Sequence, residues 1–147
     1  MKLLLSIIWQ LPQILIGEIV YLWHRLFMRG RTLRSAKIGT ANLSASALIY
    51  STNKSGKFYA YSLGRRIFFY YDNKHSISAA KLQAKINEVL KHEFGHSRQS
   101  AITGWFYLPI IAVNSLIITS VSVRMAEKSP VEKWANKLVT NVDLIIN

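Results

Sequence analysis

Apolar residues along this chain fall into two long blocks separated by two stretches of different period. Residues 3–23 (LLLSIIWQLPQILIGEIVYLW) are long enough to span a bilayer as a helix, but Gln10, Pro12, Gln13 and Glu18 interrupt them. Ser6, Gln10, Gln13, Gly17, Tyr21 and His24 recur at three- and four-residue steps, so a helix here carries one polar stripe on an apolar cylinder. Residues 3–28 are therefore expected to form a membrane anchor or an interfacial helix. Residues 46–71 are rich in Tyr, Phe and Ile, with turn chemistry at Asn53-Lys54-Ser55-Gly56 and Gly64. They predict an antiparallel meander of strands near 46–51, 57–62 and 66–71. Ser76 or Ser78 can cap a helix over 79–101, whose apolar stripe begins at Leu82, Ile86 and Val89. The second apolar block, 104–123, contains Pro109 and Asn114-Ser115. Val131, Ala135, Leu138 and Val142 then place a stripe on a last helix over 130–145.

Length makes residues 1–147 a single domain. Nineteen Lys and Arg against seven Asp and Glu leave a net charge of +12, yet half the residues are apolar. Basic charge interleaved with apolar runs points to a lipid bilayer with an anionic surface ahead of nucleic acid. Arg25, Arg29, Arg31, Arg34 and Lys37 follow the first apolar block, where the positive-inside bias holds such clusters on the cytoplasmic side. A solvated basic linker is the plainer account of the same residues. A secretory signal fits poorly, because the apolar run breaks early and no small-residue cleavage site follows it. The absence of cysteine excludes disulfides, thiolate metal sites and cysteine nucleophiles, so any metal must rest on His and carboxylate.

The chemistry concentrates at His92-Glu93-Phe94-Gly95-His96. Histidines four residues apart on a helix lie about 40° apart around its axis, so both rings can reach one ion from one side. Glu93 beside them can take a proton from a water acidified by that ion as the water attacks a carbonyl. Continuing the stripe of Leu82, Ile86 and Val89 lands on Glu93, His96 and Ser100. Ionisable groups therefore stand where the pattern asks for apolar ones, at a cost of several kcal/mol unless something neutralises and bonds them. A metal ion does both. Polar residues on a solvated helix face are the ordinary alternative, and they account for Lys91 and His92 but not for that alignment. Gly95 lets another segment or a substrate approach closely.

A catalytic zinc site needs a third protein ligand, for which Glu132, Asp143, Asp72, His75 and His24 are candidates. Ser129-Pro130-Val131-Glu132 also has the form of a capping box with proline at the first helical position. Asn136 lies one turn beyond Glu132 and can bond a ligand histidine from behind. H-E-F-G-H followed by E-K-W-A-N resembles the gluzincin arrangement, in which H-E-x-x-H is completed by a glutamate of an E-x-x-A-D motif on a later helix. CAAX-prenyl-protease-like membrane peptidases and minigluzincins share that plan. The strings H-E-F-G-H-S-R-Q-S, G-W-F-Y-L-P and P-V-E-K-W-A-N-K-L are also similar to small bacterial membrane proteins with H-E-Y-G-H. This resemblance covers mainly residues 88–139, with a weaker echo in W-Q-L-P-Q. It implies His92, His96 and Glu132 as zinc ligands and Glu93 as general base; together with the basic cluster, the expectation is a bacterial inner-membrane protein with its site on the cytoplasmic side. Asn136 stands where the gluzincin pattern has Asp, so its bond to an imidazole carries no charge.

A single membrane crossing by 104–123 would strand Glu132 across the bilayer from the histidines, so this segment must return if the three share an ion. A buried core helix would satisfy the same requirement. The expected architecture is thus α+β: a zincin-like small antiparallel sheet, an active-site helix, a glutamate helix and membrane-associated apolar segments. The expected activity is hydrolysis of a peptide or protein substrate, held by main-chain pairing along a strand edge within 57–71. Tyr59, Tyr61, Tyr70, Tyr71 and His75 are candidates to stabilise the developing oxyanion. Two rival accounts are a non-catalytic membrane protein braced by zinc and a basic membrane- or nucleic-acid-binding module carrying a chance motif.

Overall fold

In the computed structural model of the chain, the described residues are 2–27, 32–39, 43–52, 59–72, 79–111, 113–114, 129–140 and 145–146. In order they form α1 (Lys2–Trp9), α2 (Leu11–Phe27), β1 (Thr32–Gly39), β2 (Ser44–Thr52), β3 (Tyr59–Leu63), β4 (Arg66–Asp72), α3 (Ala79–Thr103), α4 (Pro130–Thr140) and β5 (Ile145–Ile146). A 3-10 turn, Gly104–Phe106, and helical residues 107–111 follow α3 directly.

The strands make one mixed sheet in the order β3-β4-β2-β1-β5, which corrects the expected antiparallel meander. β3 and β4 form a hairpin on Gly64, whose φ of 59 suits glycine. β2, however, lies on the far side of β4 and runs parallel to it, with Ile49 opposite Phe69. The physical reason is in β4 itself. Ile67, Phe69 and Tyr71 face one side of the sheet while Phe68 and Tyr70 face the other, and all five are buried. A strand apolar on both faces belongs inside a sheet with layers above and below it. The meander would have left it at an edge. β1, which contains Arg34 and Lys37 of the basic cluster, pairs antiparallel with β2 and sends Ile38 into the core.

Two helical layers cover the sheet. On one side Ile86, Leu90 and Phe94 of α3 and Val139 of α4 pack on Ile38, Ala47, Ile49, Ile67 and Phe69. On the other, Val20 and Tyr21 of α2 pack on Phe68 and Tyr70. Glu18 grips Arg66 through two hydrogen bonds of 2.8 and 2.9 Å, and the Arg66 guanidinium lies 4.3 Å from the centre of the Tyr21 ring. Gly17 lets α2 rest against the Leu63 carbonyl, where a Cβ would clash.

Among the described residues no helix is long and apolar enough to cross a membrane. This overturns the expectation of a membrane-embedded, inner-membrane protein built on membrane-associated apolar segments. The first apolar block is divided at Gln10, and its polar stripe turns inward: Gln10, Gln13 and His24 are buried against the protein. Of the second block, 104–111 and 113–114 are described; the expected path of 115–123 lies outside the described residues. The last helix is described over Pro130–Thr140, and Ile145, the expected last residue of that helix, instead pairs with β1 together with Ile146.

Candidate metal centre

Helix α3 positions the histidines, and α4 brings up the carboxylate. Ile86, Leu90 and Phe94 bury one face of α3 against the sheet, which turns Glu93 and His96 inward at 6% and 9% exposure. Gly95 sits where α3 meets α4, and any Cβ there would overlap the Ala135 carbonyl. The missing side chain therefore sets how closely the two helices approach. Arg98 also donates to the Leu138 carbonyl, tying α3 to the end of α4. At the start of α4 the Ser129 hydroxyl accepts from the Glu132 backbone N–H at 3.2 Å. Ser129 thus caps the helix, leaving the Glu132 side chain to turn towards the histidines.

His92 Nε2 and His96 Nε2 lie 3.0 and 3.3 Å from the same Glu132 oxygen. Behind them, His92 Nδ1 bonds Asn136 Oδ1 and His96 Nδ1 bonds Gln99 Oε1, each at 2.8 Å. His92 is pushed up to about 9, chiefly by its hydrogen bond to Glu132 and against the opposing effect of burial. On His96 burial is the largest influence and disfavours charge, but the Glu132 hydrogen bond and the nearby carboxylates outweigh it and the net shift is upward. Both histidine hydrogen bonds hold the Glu132 carboxyl down at about 2.

The donor set suits a divalent cation. Ligand atoms about 2.0 to 2.1 Å from a tetrahedral zinc stand roughly 3.3 Å apart, close to both separations from the shared Glu132 oxygen. All three ligand atoms fall within 4.8 Å of one another, so the widest spacing closes by at most roughly 1.5 Å around an ion. Each ring presents its Nε2 and has its Nδ1 engaged by an amide, as a bound imidazole requires. Two imidazole nitrogens and one carboxylate oxygen form a donor set that divalent transition ions accept.

Glu93 adjoins this cluster without joining it. Burial is the main cause pushing its carboxyl above the ordinary range, Ser62 bonds it, and Oε2 has no hydrogen-bond partner. It faces a recess of about 340 Å³ that β3 lines with Ala60, Tyr61 and Ser62 and that Tyr107 and Ile111 close. Tyr107 is 5% exposed and bonds Ser62, and burial raises its phenol so that the hydroxyl stays protonated. A second hollow of about 640 Å³ opens on the other side of His92 and Glu132, between α3 and α4. Glu93 does not line it.

The structure thus brings His92, Glu93, His96, Glu132 and Asn136 together. Among the described residues, the other candidate ligand, His24, does not join them. His24 is buried on α2, bonded to the Val20 carbonyl at 2.7 Å and to the Tyr70 hydroxyl. His75 and Asp143 lie outside the described residues, as does the side chain of Asp72. Among the tyrosines expected to stabilise an oxyanion, Tyr61 lines the recess but bonds Tyr70 at 3.1 Å. Tyr70 and Tyr71 are committed to the two faces of the sheet, and the side chain of Tyr59 is outside those described. Sequence reasoning missed Ser62, Gln99 and Tyr107. The first lies on an alternating strand and the last in an apolar run, so neither stood out; Gln99 was visible only as a polar residue one turn beyond His96. No family model, curated protein or solved structure matches the chain.

Proposed function

We propose that this protein is a zinc-dependent metallopeptidase of gluzincin type, with His92, His96 and Glu132 as ligands and Glu93 as general base. The observation that carries this reading is the placement of Glu93. It lies beside a three-donor cluster and opens with it onto a recess bordered by an edge strand. A bound zinc ion would supply an acidified water and polarise the scissile carbonyl.

The surrounding residues fit that chemistry. Burial makes the Glu93 carboxylate more basic than an exposed one, which suits a group that accepts a proton and later delivers it to the departing amine. Ser62 bonds Glu93 from the strand side and also bonds Tyr107, joining base and phenol through one hydroxyl. As a neutral donor, Tyr107 suits an oxygen that gains negative charge in the transition state. The outer edge of β3, at the end of the strand order, offers main-chain groups to an extended peptide.

The test compares wild type with Glu93→Gln. Stoichiometric zinc in both proteins, with peptide hydrolysis in wild type alone, is the expected result. Wild type purified gently with well under one zinc per chain would refute the metal site. Zinc-loaded wild type indistinguishable from Glu93→Gln on a broad peptide library would leave a bracing metal and remove the enzyme.

A further inference from the structure

Gln99 has no solvent exposure and touches both halves of the candidate centre. Its Nε2 lies 2.6 Å from the carbonyl of Val131, the residue before Glu132, and its Oε1 lies 2.8 Å from His96 Nδ1. These two bonds determine each other. A backbone carbonyl can only accept, so the amide end facing Val131 must be the NH2 group. The amide oxygen therefore faces His96, and Nδ1 must be the nitrogen that carries the proton. A neutral His96 then presents its lone pair on Nε2, towards Glu132.

We propose that Gln99 is a positioning residue that selects the Nε2 lone pair of His96 and seats the first turn of α4, so that histidine and glutamate meet one cation. The assignment rests on the metal site described above. Asn136 performs the reciprocal task from α4, accepting from His92 on α3, so each helix sends one amide to the other. Glutamine suits position 99 because an amide satisfies an N–H and a C=O together. A carboxylate would serve the imidazole but leave the Val131 carbonyl without its donor. A thioether would serve neither.

Zinc affinity, measured by competition with a chromophoric chelator, and unfolding of the metal-free protein together test the assignment in wild type, Glu132→Ala, Gln99→Met and Gln99→Glu. Gln99→Met is expected to bind zinc about 10- to 100-fold more weakly, the range found when a group orienting a ligand is removed. Gln99→Glu keeps the acceptor for Nδ1–H but loses the donor to Val131, so it is expected to recover part of the affinity lost in Gln99→Met, which a loss of packing alone would not produce. Wild-type affinity in folded Gln99→Met, or equal losses in the two Gln99 variants, overturns the proposal. Nitrogen-15 shifts of zinc-loaded wild type supply a measurement independent of any variant: zinc on His96 Nε2 with a protonated Nδ1 is expected, and zinc on Nδ1 overturns it. If wild type itself fails to bind zinc, or Glu132→Ala binds as tightly, the metal site falls and the role of Gln99 falls with it.

Discussion

Glu132 meets both imidazoles through one oxygen, and that contact makes the stability of the metal-free protein depend on pH from two directions. Its carboxyl is about 2 in the folded chain against an ordinary 4.5, so its contribution is present above 4.5 and lost as pH falls through about 2. His92 is about 9 against an ordinary 6.5, so its contribution is full below 6.5 and lost as pH rises through about 9. The metal-free protein should therefore gain most from this pair between pH 4.5 and 6.5 and weaken progressively towards 9. Urea midpoints across that range provide the check, and Glu132→Gln should flatten the alkaline decline attributable to His92. Tyr107 permits a separate test, because its phenol touches Ser62 and none of the three ligands is among its hydrogen-bond partners. Tyr107→Phe should keep its zinc while kcat falls about 10- to 100-fold, somewhat less than the loss of a full oxyanion-hole donor. Zinc content and steady-state kinetics on one preparation decide it; an unchanged kcat would remove Tyr107 from the chemistry.

Helix α3 was legible because two signals coincide along it. Its apolar stripe fixes which face meets the sheet, and Glu93 and His96 stand on that stripe where only a compensated environment tolerates them. The sheet was less legible. Strand existence follows from β-branched and aromatic runs, but neighbour order depends on how many faces a strand buries. That becomes decisive for β4 only when both its odd and even positions are weighed together. Gly95 illustrates a third case, in which the residue was noticed but its partner was not: the close approach is to the Ala135 backbone of α4. Gly95→Ala should force α3 and α4 apart. Overpacking typically costs about 1–3 kcal/mol, while alanine returns about 1 kcal/mol of helix propensity, leaving a net loss of up to about 2 kcal/mol. Denaturant unfolding measures that loss. Zinc affinity should fall as well, because the displaced helix carries Glu132; a variant at least as stable as wild type with intact zinc binding would contradict this account of the helix contact.

One face of the molecule keeps the apolar character that dominates the first block of sequence. Leu15, Ile19, Leu22, Trp23 and Leu26 of α2 are exposed, as are Trp105, Phe106 and Ile110 beyond α3. Reciprocal bonds join the two groups through α1: the Trp9 indole donates to the Ile102 carbonyl at 3.3 Å and the Trp105 indole to the Ile8 carbonyl at 2.9 Å. The apolar content of residues 3–28 suggests a membrane anchor or an interfacial helix, because a one-dimensional pattern does not distinguish a cylinder in contact with lipid from a helix with its polar stripe docked on a sheet. Gln13, Gly17 and His24 are that docked stripe, and the exposed residues are what remains on the outside. Exposed apolar side chains such as these favour association in water, whereas a net charge of +12 drives copies apart. Salt weakens only the repulsion, with a screening length of about 8 Å at physiological ionic strength and about 3 Å at 1 M. Raising salt should therefore increase self-association, observed as a rising weight-average mass in light scattering. A triple substitution Leu15→Gln, Ile19→Gln and Leu22→Gln should suppress that rise while leaving the unfolding midpoint near wild type, since these side chains pack little in the folded chain. If added salt instead dissolved the assemblies, charge pairing between copies would be the cause, and the apolar face would have to be covered in solution by some other part of the chain.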